Sequence, residues 1–311
     1  MKMLKDFLSI KDLTIDQFSQ ILDLTKKIKS KPRSYQNKLK NKILAMIFQK
    51  PSLRTRVTFE VGMLQLGGEA IYLGPTDIQL GTRETAYDVG KNLERWVDGI
   101  MIRTFAHQNV IDLGQTAKIP VINALTDLLH PCQAMADFFT LYEKLRGRRD
   151  FKLAYIGDGN NVCHSLLFAN AKTGSTMIVG TPPGYEPDPE IVKQAEEEGK
   201  ISGSKVFFTN DPSEAVHGAD AVYTDVWASM GQEQEKEERL KIFSPYQVNS
   251  ELMSKAKQGA LFMHCLPAHR GEEVTDEVID SEHSVVFDQA ENRLHIQKTI
   301  MLLLLKNKNE E

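Results

Sequence analysis

Short, nearly continuous apolar runs recur along the chain, each closed by a polar, glycine or proline turn and separated from the next by a stretch with helical spacing. Ile43 to Phe48, Gly99 to Ile102 and Ile119 to Leu125 are such runs in the first half; Phe151 to Ile156, Thr176 to Gly180, Lys205 to Phe208, Ala219 to Thr224 and Ala260 to Met263 follow in the second. Runs of this length bounded by turn residues predict strands, and their alternation with helical segments such as Thr14 to Lys29 and Ala134 to Leu141 predicts parallel sheets. The hydrophilic stretch Arg146-Gly147-Arg148-Arg149-Asp150 separates the two series. The expected architecture is therefore α/β, with two domains, 1–145 and 146–289, each built on a parallel sheet flanked by helices, and a cleft between them. No internal repeat or low-complexity tract appears, and the acidic run Glu233 to Glu238 reads as a solvated loop or helix start.

The polar residues that follow three of these runs carry the chemistry. Ser52-Leu53-Arg54-Thr55-Arg56 comes after Ile43 to Phe48 and opens a helix, with Pro51 before it and Ser52 as its N-cap. First-turn amides and the positive end of the helix dipole favour an anion there, and Arg54 and Arg56 add planar donors matched to phosphate oxygens. An Arg-rich first turn is also common on plain solvated surfaces, so other motifs must decide. His130-Pro131-Cys132-Gln133 follows Ile119 to Leu125 and opens another helix, with Pro131 suited to its first turn. His264-Cys265-Leu266-Pro267 follows Ala260 to Met263. Clusters at strand ends converge in open α/β sheets, where ligands bind beyond the carboxyl ends of the strands.

Composition narrows the ligand. The chain has 311 residues, long enough for two ordinary domains, and its formal net charge of −4 gives no global basic field for nucleic acid. Anion binding must then come from local clusters, which suits a small anionic substrate. The N-terminal Met1-Lys2-Met3-Leu4-Lys5-Asp6 lacks the apolar core of a signal peptide, and Ile300 to Leu305 is too short to span a bilayer. A cytoplasmic protein with no membrane partner is expected. Three cysteines imply reduced thiols rather than a disulfide framework.

Together the Ser-x-Arg-Thr-Arg, His-Pro-Cys-Gln and His-Cys-Leu-Pro motifs, with Asp225-Val226-Trp227-Ala228-Ser229-Met230-Gly231, resemble the aspartate/ornithine carbamoyltransferase superfamily, and specifically its ornithine branch, from about residue 5 to the end. The resemblance implies transfer of the carbamoyl group of carbamoyl phosphate to the δ-amine of L-ornithine, without a cofactor. It implies that residues 290–311, with a helix around Leu294 to Leu305, return to complete the first domain, and that the protein assembles as a homotrimer or a multiple of trimers. The phosphate is expected on Ser52, Leu53, Arg54 and Thr55 with Arg103, and the carbamoyl group near Thr55, Arg103, the His130-Pro131-Cys132-Gln133 turn, Cys265, Leu266 and Arg293. Gln79 matches a position reaching toward carbamoyl phosphate. Asp225 and Ser229 are expected at the α-amino end of ornithine, Asn161 and the Met230 backbone at its α-carboxylate, and Cys265 near the δ-amine. Two positions depart from the family pattern: Leu53 replaces a Thr, removing one hydroxyl from the phosphate turn, and Gln49 replaces a common acidic residue at no obvious cost.

Read on residues alone, Arg293 in the charged stretch Asp288 to Arg293 is a solvated side chain, Cys132 is packing, and His130 is as readily a satisfied core histidine. Cys265 beside His264 suggests a nucleophile pair, but neighbours on a continuing strand point to opposite faces, and the resemblance implies direct transfer. No compact metal-ligand spacing of the zinc kind stands out, so no metal is expected. Gly157-Asp158-Gly159 after a strand suggests a dinucleotide site, yet Val162 replaces the third glycine and no acidic residue closes the next strand. Aspartate transfer is disfavoured by Cys265 and the Ser-Met-Gly loop, putrescine would leave Asn161 without a carboxylate, and a non-catalytic carbamoyl phosphate-binding regulator would not need Asp225 or Asn161. Both directions of arginine metabolism would use one site.

Overall fold

A computed structural model describes residues 4–228 and 236–306. Its chain divides into two compact units, Met1–Phe139 with Glu291–Glu311, and Thr140–Ala290.

In chain order the elements are α1 (Ile15–Ser30), β1 (Ile43–Phe48), α2 (Leu53–Gln65), β2 (Glu69–Leu73), α3 (Pro75–Ile78), α4 (Ala86–Leu93), β3 (Gly99–Arg103), α5 (His107–Thr116), β4 (Val121–Leu125) and α6 (Pro131–Lys144). There follow β5 (Lys152–Ile156), α7 (Asn161–Asn170), β6 (Thr176–Gly180), α8 (Pro189–Ser202), β7 (Lys205–Thr209), α9 (Pro212–Val216) and β8 (Ala221–Thr224). The last are α10 (Lys236–Phe243), α11 (Ser250–Ser254), β9 (Leu261–His264), α12 (Asp276–Ile279) and α13 (Val286–Leu305).

The first unit holds a four-stranded parallel sheet in the order β2-β1-β3-β4. Its strands β1, β3 and β4 are buried almost throughout, as their unbroken apolar character requires in a sheet covered on both faces. On one face Ala45, Ile47, Ile100 and Ile102 pack with Val89, Leu93, Val110 and Leu113 of α4 and α5. Each of these Val, Leu and Ile side chains contributes about 1.5–3 kcal/mol on full burial. Strand β4 starts at Val121, two residues later than the apolar run suggests, because Pro120 has no N–H to give a ladder. Helix α13 packs on the earlier helices of this unit: Thr299 shares a hydroxyl hydrogen bond with Thr25 at 2.8 Å, and Lys298 donates to Gln65 at 2.9 Å.

The second unit is a five-stranded parallel sheet in the order β7-β6-β5-β8-β9. Its core joins Ala154, Ile156, Val222 and Phe262 to Ala215, Val216, Val248 and Val278. Gly159 belongs to this packing, since a Cβ there would lie 2.2 Å from the Pro187 nitrogen. The glycine that resembled a dinucleotide fingerprint is thus demanded by the protein's own 186–187 backbone. Of the acidic run, Glu237 and Glu238 occupy the first turn of α10, where negative charge suits the dipole; 233–235 lie outside the described residues.

Candidate active site

Parallel register lines up the carboxyl ends of β1, β3 and β4: Phe48 lies opposite Arg103, and Arg103 opposite Leu125. The turns after these strands therefore share one edge of the first sheet, which brings the Ser52 turn, Arg103 and the His130 turn together. Ser52 caps α2 in extended backbone, its Oγ accepting the Thr55 N–H at 3.2 Å. Thr55 is buried, and its Oγ1 accepts from Arg293 Nη2 at 3.1 Å. Arg293 Nη1 donates to Gln133 Oε1 at 2.6 Å, and Gln133 Nε2 donates to Asp137 Oδ1 at 2.8 Å. One guanidinium from α13 thereby ties α2 to α6.

Arg293 is 2% exposed, which corrects the solvated reading of its charged stretch. It shares a helix face with buried Ile296 and Ile300, three and seven residues on, so it is turned inward while its polar neighbours hide the periodicity. His130 is also buried, and its pKa is held well below the ordinary 6.5, first by burial and then by Arg293, Arg103 and Arg54. The imidazole is neutral at physiological pH, amid three guanidiniums. Arg103 is 9% exposed at the end of β3.

One expectation for this cluster needs correction. Arg56 does not join Arg54: it stacks over the Tyr72 ring at 4.0 Å and pairs with Glu60 at 3.6 Å. Residues two apart on a helix point about 200° apart, so both could not face one anion. Cys132 packs as its residue type suggests: it is fully buried, its thiol donates to the Asn123 carbonyl at 3.4 Å, and burial pushes that thiol up to about 12. Pro131 opens α6 and is buried. Leu53 is exposed at the first position of α2. Gln79 is exposed in left-handed backbone after α3, and Arg83 is exposed beyond it. Lys50, passed over in the sequence, is 8% exposed; burial and Arg103 lower its pKa, with Asp127 opposing, and its Nζ lies 4.2 Å over the Phe105 ring.

In the second unit Ile156 lies opposite Thr224, and Thr224 opposite His264. The residues after β5, β8 and β9 meet at that edge. Asp225, 6% exposed, accepts Asn160 Nδ2–H at 2.8 Å and the Cys265 thiol at 3.0 Å. Asn160 Oδ1 caps α7 through the Val162 and Cys163 amides, and Tyr155 Oη donates to it at 3.2 Å. Asn161 is half-buried at the first position of α7. Cys265 and Leu266 are half-buried just past β9. Ser229 and Met230 lie outside the described residues.

His264 has other partners than Cys265. Its Nε2 faces Glu273 Oε1 at 3.1 Å and its Nδ1 accepts the Leu266 N–H at 2.8 Å. Asp225, His264 and Cys265 each place a ligand-type atom within 4.8 Å of the others, but the hydrogen bonds engage both ring nitrogens. Sequence reading did not single out Asp137, although a Gln–Asp pair four apart on a helix is a recognisable signal. It also missed Arg239, which pairs with Asp158 at 3.1 Å and donates to the Trp227 carbonyl at 2.7 Å; a lone Arg in an acidic run carries no signal for burial.

The two units are parallel α/β folds, one with a cationic strand edge and the other with a carboxylate–thiol edge. The chain belongs to the aspartate/ornithine carbamoyltransferase family: residues 5–143 match its carbamoyl-P binding domain and residues 149–304 its Asp/Orn binding domain. It is 56% identical to the ornithine carbamoyltransferase of Carboxydothermus hydrogenoformans over 97% of each chain. It is 53% identical to the anabolic ornithine carbamoyltransferase of Pyrococcus furiosus, over 97% of this chain and 96% of that one. Among solved structures, ornithine carbamoyltransferase from Pyrococcus furiosus superposes with a TM-score of 0.94 at 52% identity, covering 97% of both chains. The anabolic enzyme from Campylobacter jejuni superposes with a TM-score of 0.93 at 37% identity, over 97% of this chain and 99% of that one.

Proposed function

We propose that this chain is an ornithine carbamoyltransferase, moving the carbamoyl group of carbamoyl phosphate to the δ-amine of L-ornithine to give L-citrulline and phosphate in arginine biosynthesis. The observation that carries the reading is the convergence of Arg54, Arg103 and Arg293 on a neutral His130 beside the N-terminus of α2. In this reading residues 1–145 with 290–311 bind carbamoyl phosphate, and 146–289 bind ornithine. Phosphate rests on the Ser52-Leu53-Arg54-Thr55 turn and Arg103. Thr55 accepts from Arg293, so its hydroxyl proton can be donated; Gln133 keeps a second amide proton after bonding Asp137. These donors, with neutral His130 and the guanidiniums, stabilise the carbamoyl oxygen as negative charge develops. Gln79, Pro131, Cys132 and Leu266 supply further contacts to carbamoyl phosphate in this assignment.

Asp225 and Ser229 take the α-amino group of ornithine, and Asn161 and Met230 its α-carboxylate. Cys265, held as a thiol donor by Asp225, orients the δ-amine; a neighbouring carboxylate disfavours a thiolate. The uncharged amine attacks the carbamoyl carbon, the carbon–oxygen bond to phosphate breaks, and the departing phosphate takes the amine's proton.

A homotrimer in the cytoplasm completes the proposal. Leu53, Val57 and Leu64 are exposed on one face of α2, and Ile71 is exposed on the edge strand β2, an apolar surface suited to a neighbouring copy. Light-scattering mass tests this, with a monomer counting against it. Among the described residues no helix is long and apolar enough to cross a membrane. The activity is tested by assaying carbamoylated product with ornithine, putrescine, aspartate and acetylornithine side by side; preference for any acceptor other than ornithine would overturn the assignment.

A further inference from the structure

We propose that His269, Glu272 and Glu273, on the turn after β9, form a binding site for one divalent cation of the zinc class. His269 Nδ1 lies 3.4 Å from Glu272 Oε2 and 3.9 Å from Glu273 Oε2, and the ligand-type atoms of the three residues all lie within 4.8 Å of one another. Metal–ligand bonds of about 2.1 Å in a tetrahedron separate ligand atoms by about 3.4 Å, so these side chains need little movement to share an ion. Two carboxylates and one imidazole leave a fourth position for water, a mixed set that suits zinc, cobalt or nickel better than calcium or magnesium.

Glu273 supplies the independent observation. It is fully buried, and its Oε1 already receives the His264 ring N–H and the His269 backbone N–H. Its Oε2, the oxygen facing His269, is buried with no hydrogen-bond partner among the described residues. A buried carboxylate oxygen left this way is costly, and a cation would offset that cost. The local cation does not do so: Arg270 is turned away onto Asp276 and Asp280. The turn is also held in shape, because Gln247 Nε2 donates to the Gly271 and Glu272 carbonyls, each at 2.9 Å, and the Val248 N–H bonds the Glu273 carbonyl at 2.9 Å. The same Glu273 positions His264, and through it the Leu266 N–H beside Cys265, so an ion here would bear on the turn that carries the thiol.

The test titrates the full-length protein, freed of metal with a chelator, with Zn²⁺ by calorimetry and with Co²⁺ by visible absorption. One cation per chain is expected, with His269→Ala and Glu272→Gln each weakening binding at least tenfold and Cys265→Ser leaving it unchanged. Both variants alter exposed or half-exposed side chains, and circular dichroism checks their fold. Three outcomes would overturn the proposal: no binding at millimolar zinc, unchanged affinity in both variants, or a thiolate-to-cobalt charge-transfer band that disappears in Cys265→Ser. The last would move the ion to the Asp225–Cys265 cluster.

Discussion

The edge of the first sheet is cationic and tied together across most of the chain, whereas the edge of the second is organised around one carboxylate. Arg293 reaches Thr55 and Gln133 and so joins three distant segments, while Asp225 is met by Asn160 and Cys265 at the ends of flanking strands. Under the proposed assignment the difference follows the ligand each edge would take. A doubly charged phosphate calls for several fixed guanidiniums, whose mutual repulsion must be offset by held acceptors such as Gln133 and Thr55 and by a histidine kept neutral. An ammonium group calls for one carboxylate whose oxygens are oriented by neutral donors, and Asn160 and the Cys265 thiol are of that kind.

If the cationic edge carries carbamoyl phosphate, its removal should cost most. Arg54→Ala and Arg103→Ala each delete a charge-assisted contact worth roughly 1.5–3 kcal/mol, hence a loss of roughly tenfold to 150-fold in kcat/KM. Steady-state kinetics on folded variants check this, and unchanged values would return that Arg to a structural role. The carboxylate edge should respond differently. Asn160→Ala removes both the donor to Asp225 and the cap of α7, the latter costing about 1 kcal/mol of stability. An increase of about tenfold in the KM for ornithine is expected, with the KM for carbamoyl phosphate unmoved. A change confined to carbamoyl phosphate would break the comparison.

Cys265→Ser is expected to act more weakly still. A hydroxyl can donate to Asp225 as the thiol does, so turnover should largely persist with a rise of a few-fold in the KM for ornithine. A covalent mechanism would instead nearly abolish turnover and leave a carbamoyl group on Cys265, detectable by mass spectrometry after incubation with carbamoyl phosphate alone.

What could be read from the chain before folding was the set of strand-end motifs, because each apolar run and the polar turn after it are local signals. Ser52 as cap, Pro131 at a helix start and Arg103 at a strand end all follow from such neighbours. Arg293 did not, since its burial depends on which face of a long helix turns inward, a tertiary choice that its charged neighbours obscure. Arg56 misled for the opposite reason: it sits in the motif but points elsewhere. Gln49, whose lost charge has no obvious cost by itself, has its Nε2 donating to the Leu80 carbonyl at 2.7 Å and its Oε1 accepting from Thr104. A glutamate could not make the first of these bonds, so the amide links the β1 turn to the segment after α3. The partner of Cys265 was likewise invisible, because Asp225 lies forty positions away and meets it only through the pairing of β8 with β9.

The smallest effect at neutral pH, and the one that separates the two edges by titration, concerns His130. Its pKa in the folded protein is well below 6.5, chiefly through burial and then through Arg293, Arg103 and Arg54. In the unfolded chain it returns to the ordinary value, so below about 6.5 the unfolded state binds the proton that the folded state refuses. Stability from this group is therefore fully present above that pH and is lost as the pH falls from there toward the folded value. His107 and His295, also lowered by burial, add to the same trend. Thermal melts of the wild type should accordingly show a Tm that is level near neutrality and declines on acidification, and His130→Gln should show a shallower decline while the other two histidines still titrate. An equal slope in both proteins would mean that His130 takes up a proton in the folded state as readily as in the unfolded one, and the cationic edge would then lack the neutral imidazole on which its proposed handling of the carbamoyl oxygen depends.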